Sequence, residues 1–166
     1  MCSSIPMSNP AEAIRGRWRR LRDGVQAVRD AVGGAADGDA VPDAVARALD
    51  ALYDLMEVVK QRGDYTNEDL DNLAAGDVGG ETTFALVCAR GAKTHALVDF
   101  GDLHTFGSHA FGEGPYGGGW AWQEFSDPKF CLRSDWYARR VQGHLVLGPL
   151  EVAVAWLLQR PEISLP

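Results

Sequence analysis

A chain of 166 residues, 46% hydrophobic and 23% charged, is long enough to bury its own core and close to average globular composition, which excludes wholesale disorder and dependence on disulfides. A net charge of −7 argues against general attraction to polyphosphate, since Lys and Arg drive that attraction by releasing counterions. No apolar run approaches the roughly 20 residues that span a bilayer, and residues 1–9 lack the apolar stretch of a secretion signal, so no membrane partner and a reducing cytoplasm are expected.

Residues 1–9 read as a flexible N-terminus. From Pro10 onward, Ile14, Trp18, Leu21, Val25, Val28 and Val32 recur at spacings of four and three, one narrow stripe along a helix. Asn9 and Pro10 make its start, and Gly33 with Gly34 its stop. After the linker "GGAADGDAVPD", with Asp43 as candidate cap, Val45, Leu49, Leu52, Met56 and Val59 repeat the spacing, so residues 10–62 read as an antiparallel helical hairpin. The second helix also carries Ala48, Leu55 and Val58, a wider apolar face than a two-helix seam uses. A second layer must cover it: the C-terminal half of the chain or, as the alternative, another subunit in a homodimer.

Residues 63–80 read as an acidic linker in which Thr66 and Asp69 have the spacing of a capping box, predicting a short helix over residues 67–75. Next, "TTFALVCA" and "THALVDF" are short apolar runs rich in β-formers, and "RGAK" between them predicts a β-hairpin turning at Gly91. "GWAWQEF" predicts a third strand. Asp127 and Pro128 open a turn, "SDWYARRVQGHL" predicts a helix capped by Ser134, and "GPLEVAVAWLLQR" another begun by Pro149. Residues 152–158 are apolar on every side, the pattern of a buried core helix. Residues 81–166 thus form an α+β core. The fold class is α+β: an N-terminal antiparallel helical hairpin packed on a small antiparallel β-sheet with two C-terminal helices, the hairpin and core reading as one compact unit.

Residues 101–125 crowd seven glycines, two histidines and six aromatic rings together, and three chemistries can be weighed there. "GEGPYG" at 112–117 matches GxGxxG, but Glu113 places a negative charge in the cradle, Pro115 removes an N–H donor and strand-like sequence follows, so no dinucleotide site is expected. "DFG" at 99–101 occurs without the lysine strand or catalytic loop of a kinase and carries no kinase reading. His104 and His109, with Asp99, Asp102 and Glu113 nearby, are spaced to align on neither a helix nor a strand, and no metal is expected. Cys2, Cys88 and Cys131 are odd in number, have no CxxC spacing and read as buried free thiols. Of Cys88 and Cys131, either of which could pair with a histidine, Cys131 is the better candidate nucleophile, being flanked by Lys129 and Arg133.

No catalytic constellation and no cofactor motif emerge. An enzyme or small-ligand binder is the alternative reading, with a pocket under the glycine-rich loop drawn from His104, His109, Tyr116, Trp120, Trp122, Cys131 and Arg133. The preferred reading rests on charge asymmetry. Arg15, Arg17, Arg19, Arg20, Arg22 and Arg29 face only Glu12, Asp23 and Asp30 within residues 11–32, so the outer helix is basic on an acidic chain. An ion pair of Arg19 with Asp23 at i, i+4 would use part of that charge. A small interaction or regulatory protein follows, binding a protein partner through Arg15, Arg17, Arg19, Arg20 and Arg22 or through its acidic surface. Nucleic-acid binding is the weaker alternative, for it needs Arg133, Arg139 and Arg140 on the same face as helix one.

Overall fold

The computed structural model describes residues 10–34, 39–90, 97–101, 119–129 and 131–164. Among the described residues the helices are α1 (Pro10–Gly33), α2 (Ala40–Gly63), α3 (Asn67–Ala74), α4 (Val78–Ala89), α5 (Cys131–Arg140) and α6 (Leu147–Leu158). Strands β1 (Val98–Gly101) and β2 (Gly119–Trp122) pair antiparallel, and a 3-10 turn at Pro161–Ile163 follows α6. The fold is α+β, with α1 and α2 forming the hairpin, α2 packed against β1, and α5 and α6 as the two C-terminal helices.

The hairpin follows its apolar spacing. Ile14, Leu21, Val25 and Val28 of α1 are buried, as are Val45, Leu49, Leu52, Met56 and Val59 of α2. Gly24 lets the two helices approach closely, since a Cβ there would stand 3.1 Å from the Ala48 Cα. Ala48, Leu55 and Val58 are buried too, because α4, β1 and the 3-10 turn cover the other side of α2. α2 starts earlier than its predicted cap: Asp39 precedes the first turn and Asp43 lies within it. Pro42 is tolerated there because the first-turn N–H groups have no intrahelical acceptor to lose.

The capping box at Thr66 forms as its spacing predicts: the Asp69 N–H donates to Thr66 Oγ1 at 3.1 Å, and the Thr66 N–H donates to Asp69 Oδ2 at 2.8 Å. The hydrogen bonds from Thr66 hold the Asp69 carboxyl below its ordinary pKa.

The predicted strand "TTFALVCA" is instead most of α4. Thr82, Thr83, Phe84, Ala85 and Leu86 are all buried, because α3, α5 and α6 surround the helix, and this burial overrides the β-branched composition. Asp77 caps it by accepting the Gly80 N–H at 2.7 Å, and the Thr82 and Thr83 hydroxyls donate to the Val78 and Gly79 carbonyls one turn back. Gly80 seats this end of the helix against α3, where a Cβ would come within 2.8 Å of the Ala74 Cα. Among the described residues the sheet is therefore two-stranded. Residues 143–146 run along the outer edge of β2, with the Trp122 N–H donating to the His144 carbonyl and the Val146 N–H to the Trp120 carbonyl, both at 3.0 Å. The predicted turn at Gly91 lies outside the described residues.

α5 begins at Cys131, three residues before its predicted cap. Ser134 is internal, and its hydroxyl accepts the Asp127 N–H at 2.8 Å, tying the helix to the preceding turn. Trp122 and Tyr137 fill the core between sheet and α5, ring edge to ring face at 6.5 Å. The Trp122 indole N–H donates to the Val146 carbonyl at 3.1 Å and the Tyr137 hydroxyl to the Gln123 carbonyl at 2.9 Å, so both polar handles are satisfied. Burial holds the Tyr137 phenol well above its ordinary pKa. No helix among the described residues is long and apolar enough to cross a membrane.

α6 departs from its reading as a helix buried on every side. Leu150, Ala153, Trp156 and Leu157 are in the core, but Val152 is exposed and Leu158 is 66% exposed. α1, read from the sequence as the outer helix, touches α6 as well as α2. The groove between α1 and α6 is the consequence.

Candidate docking groove

The groove has two facing stripes. On α1, Arg15, Arg19, Arg22, Gln26 and Arg29 follow one another at helical spacing along the outer edge, with Trp18 and Val25 below them. On α6, Glu151, Val154 and Leu158 form the opposing wall, which Ile163 and Ser164 prolong. Two cavities, of about 560 Å³ and about 350 Å³, share Arg22 and Leu158 and so make one continuous trough. The helices run antiparallel along it. The low-numbered part of α1 meets Leu158 and Ser164, and the high-numbered part meets Glu151.

The two ends differ electrostatically. At one end Arg29 Nη2 donates to Glu151 Oε1 at 2.9 Å, and Arg29 Nη1 donates to Gln26 Oε1 at 2.8 Å, so the charges there are matched. At the other end Arg15, Arg19 and Arg22 are exposed, and no carboxylate among the described residues lies within ion-pair distance of them. The expected pair of Arg19 with Asp23 does not form. Of the five arginines singled out in the sequence, Arg20 turns to the other flank and meets Asp54 of α2 at 3.2 Å, while Arg17 is half-buried outside the trough. Three of the five therefore crown an apolar trough whose floor the sequence did not reveal.

The second arginine group has a different fate. Arg133 Nε donates to Asp71 at 2.8 Å with its guanidinium 5.1 Å above the Phe84 ring. Arg140 Nε donates to Glu81 Oε2 at 2.7 Å, and Arg139 reaches the same oxygen at 3.2 Å. Glu81 is buried on α4 and also accepts the Gly76 N–H at 3.2 Å. Burial pushes its carboxyl up, but the bonds from Arg140, Gly76 and Arg139 together outweigh that and hold it below its ordinary pKa. These cations serve the fold.

Of the alternative pocket, Trp120, Trp122, Cys131 and Arg133 lie among the described residues, and each has different surroundings. Trp122 is core, Trp120 is half-buried with its ring edge-on to Phe100, and Arg133 lines a small cavity of about 240 Å³ beside Tyr53, Lys60 and Phe84. Cys131 is exposed rather than buried because it sits in the first turn of α5, where its thiol donates to the Pro128 carbonyl at 3.3 Å. Cys88 is half-buried rather than buried, and burial pushes its thiol up to about 11, which disfavours the reactive thiolate. His104, His109, Tyr116, Cys2 and the GEGPYG segment lie outside the described residues. Among the described residues no three His, Cys, Asp or Glu side chains gather as a metal set.

Neither a protein-family model, a curated protein nor a solved structure matches the chain.

Proposed function

We propose that this chain is a small interaction protein that docks a protein partner in the trough between α1 and α6. One observation carries the reading: Arg15, Arg19 and Arg22 surround the exposed Leu158 with no carboxylate of the described residues to meet them. A cationic rim over an apolar floor is the anatomy of a binding patch, in which apolar anchors supply affinity and rim charges supply rate and selectivity. Nucleic acid fits less well. The second basic cluster that such a reading requires is consumed by Asp71 and Glu81, and the net charge of −7 opposes a polyphosphate.

The test is site-specific photocrosslinking in cells that express the chain, with the probe at Leu158 or, as a control, at Gln61 on the exposed part of α2. A discrete adduct should form from position 158, not from position 61, and should disappear in the double variant Arg19→Glu/Arg22→Glu. Equal labelling from both positions, or an adduct indifferent to the charge reversal, overturns the reading.

A further inference from the structure

We infer that the occupant of this trough is an amphipathic α-helix of the partner, with acidic side chains concentrated at the end that meets Arg15, Arg19 and Arg22. This rests on the docking reading and specifies the chemistry of its partner. Both walls of the trough are helices, and neither strand of the sheet lies along it, so an added β-strand would find no backbone edge to pair with. A helix laid between two antiparallel helices can interdigitate with ridges on both. The stripe from residue 15 to residue 29 runs for about 21 Å at a rise of ~1.5 Å per residue, room for about four turns.

Charge fixes the polarity of the occupant. The end near Arg15 and Arg19 presents cations without matching carboxylates, whereas the end near Arg29 is already closed by Glu151. An occupant acidic along its whole length would meet Glu151 with like charge, and a basic one would meet the arginines. One with carboxylates at a single end and an uncharged remainder satisfies both. Its apolar face would cover Trp18, Val25 and Leu158, which a polyphosphate has no surface to do. The acidic remainder of the chain repels the same helix elsewhere, which confines it to this trough.

Three synthetic helical peptides of equal length test this by fluorescence anisotropy against the full chain. All carry leucine on one face, and the two helix turns at one end are flanked by Glu, by Gln or by Lys. The Glu peptide should bind about tenfold more tightly than the Gln peptide, the combined effect of three solvent-exposed ion pairs, and its advantage should shrink as salt rises. The double variant Arg19→Glu/Arg22→Glu should prefer the Lys peptide, and Leu158→Ser should weaken all three. Absence of binding by the Glu peptide at low salt overturns the inference, as do equal affinities for the three. Binding of phosphatidylglycerol vesicles in place of the peptides overturns it in favour of a lipid surface. If the peptides fail while the crosslink from position 158 still depends on Arg19 and Arg22, the inference is lost and the docking reading stands; if both fail, neither stands.

Discussion

Two groups of arginines lie on helices of this chain, and the fold treats them oppositely. On α5, Arg133, Arg139 and Arg140 are each met by a carboxylate, from Asp71 on α3 or from Glu81 on α4. On α1, Arg15, Arg19 and Arg22 stand over exposed hydrocarbon and meet no carboxylate of the described residues. Both groups look alike as sequence. The difference lies in where the acids fall: Glu81 is carried into the interior by the apolar helix α4 and needs cations there, whereas Asp23, Asp50 and Asp54 line another flank of the hairpin, where Asp54 meets Arg20. A cationic cluster is therefore informative about partners only after the chain's own acids have been located.

The widest separation between the two regions is in packing. Phe84 is buried beneath α5 and α6, with the Trp156 ring edge-on at 5.9 Å and Arg133 over its face, so Phe84→Ala should destabilise the fold by about 3–5 kcal/mol. Trp18→Ala, at the trough, removes a half-buried ring and should cost distinctly less. Urea unfolding followed by circular dichroism compares the two, and a larger loss at Trp18 would make the trough part of the core.

The next effect is electrostatic. Glu81→Gln keeps the shape but removes the charge that two guanidinium groups share, and a loss of about 1–3 kcal/mol at neutral pH is expected. Because the folded carboxyl titrates below its unfolded value, its contribution is fully present above that value, about 4.5, and is lost as pH falls through the lower folded pKa. The stability difference between wild type and Glu81→Gln should accordingly close in acid. A gap that stayed constant down to acid pH would show that Glu81 contributes by packing alone.

How far the sequence could be read follows the same division. α1, α2 and α3 were legible because each has a polar side to contrast with its apolar one, and at Thr66 a local cap marks the start. α4 was misread as a strand because a helix surrounded by others has no polar side, and its threonines, valines and phenylalanine then read as β-formers. The reverse error befell α6: uniformly apolar residues implied complete burial, yet Leu158 is left bare. That uncovered side was the signal of the trough. It could not be recognised until α1 and α6, more than a hundred residues apart, were brought together. The rim arginines were visible from the start, but not which three of the five would share a floor.

The smallest expected effect is the most discriminating. Reversing Arg19 and Arg22 to Glu removes no intramolecular ion pair, since neither has one among the described residues, and both side chains are exposed. Stability should therefore move by no more than about 0.5 kcal/mol in either direction, the range for surface substitutions away from caps, cores and networks. It should be measured beside Arg140→Ala, which leaves the buried Glu81 with one cation fewer and should cost more. If the α1 reversal proves as costly as the α5 truncation, the cations of the outer helix are serving the fold after all, and the contrast between the two groups dissolves. If it is silent in stability yet abolishes the crosslink from position 158, those charges contribute nothing to folding and act only on what the trough receives.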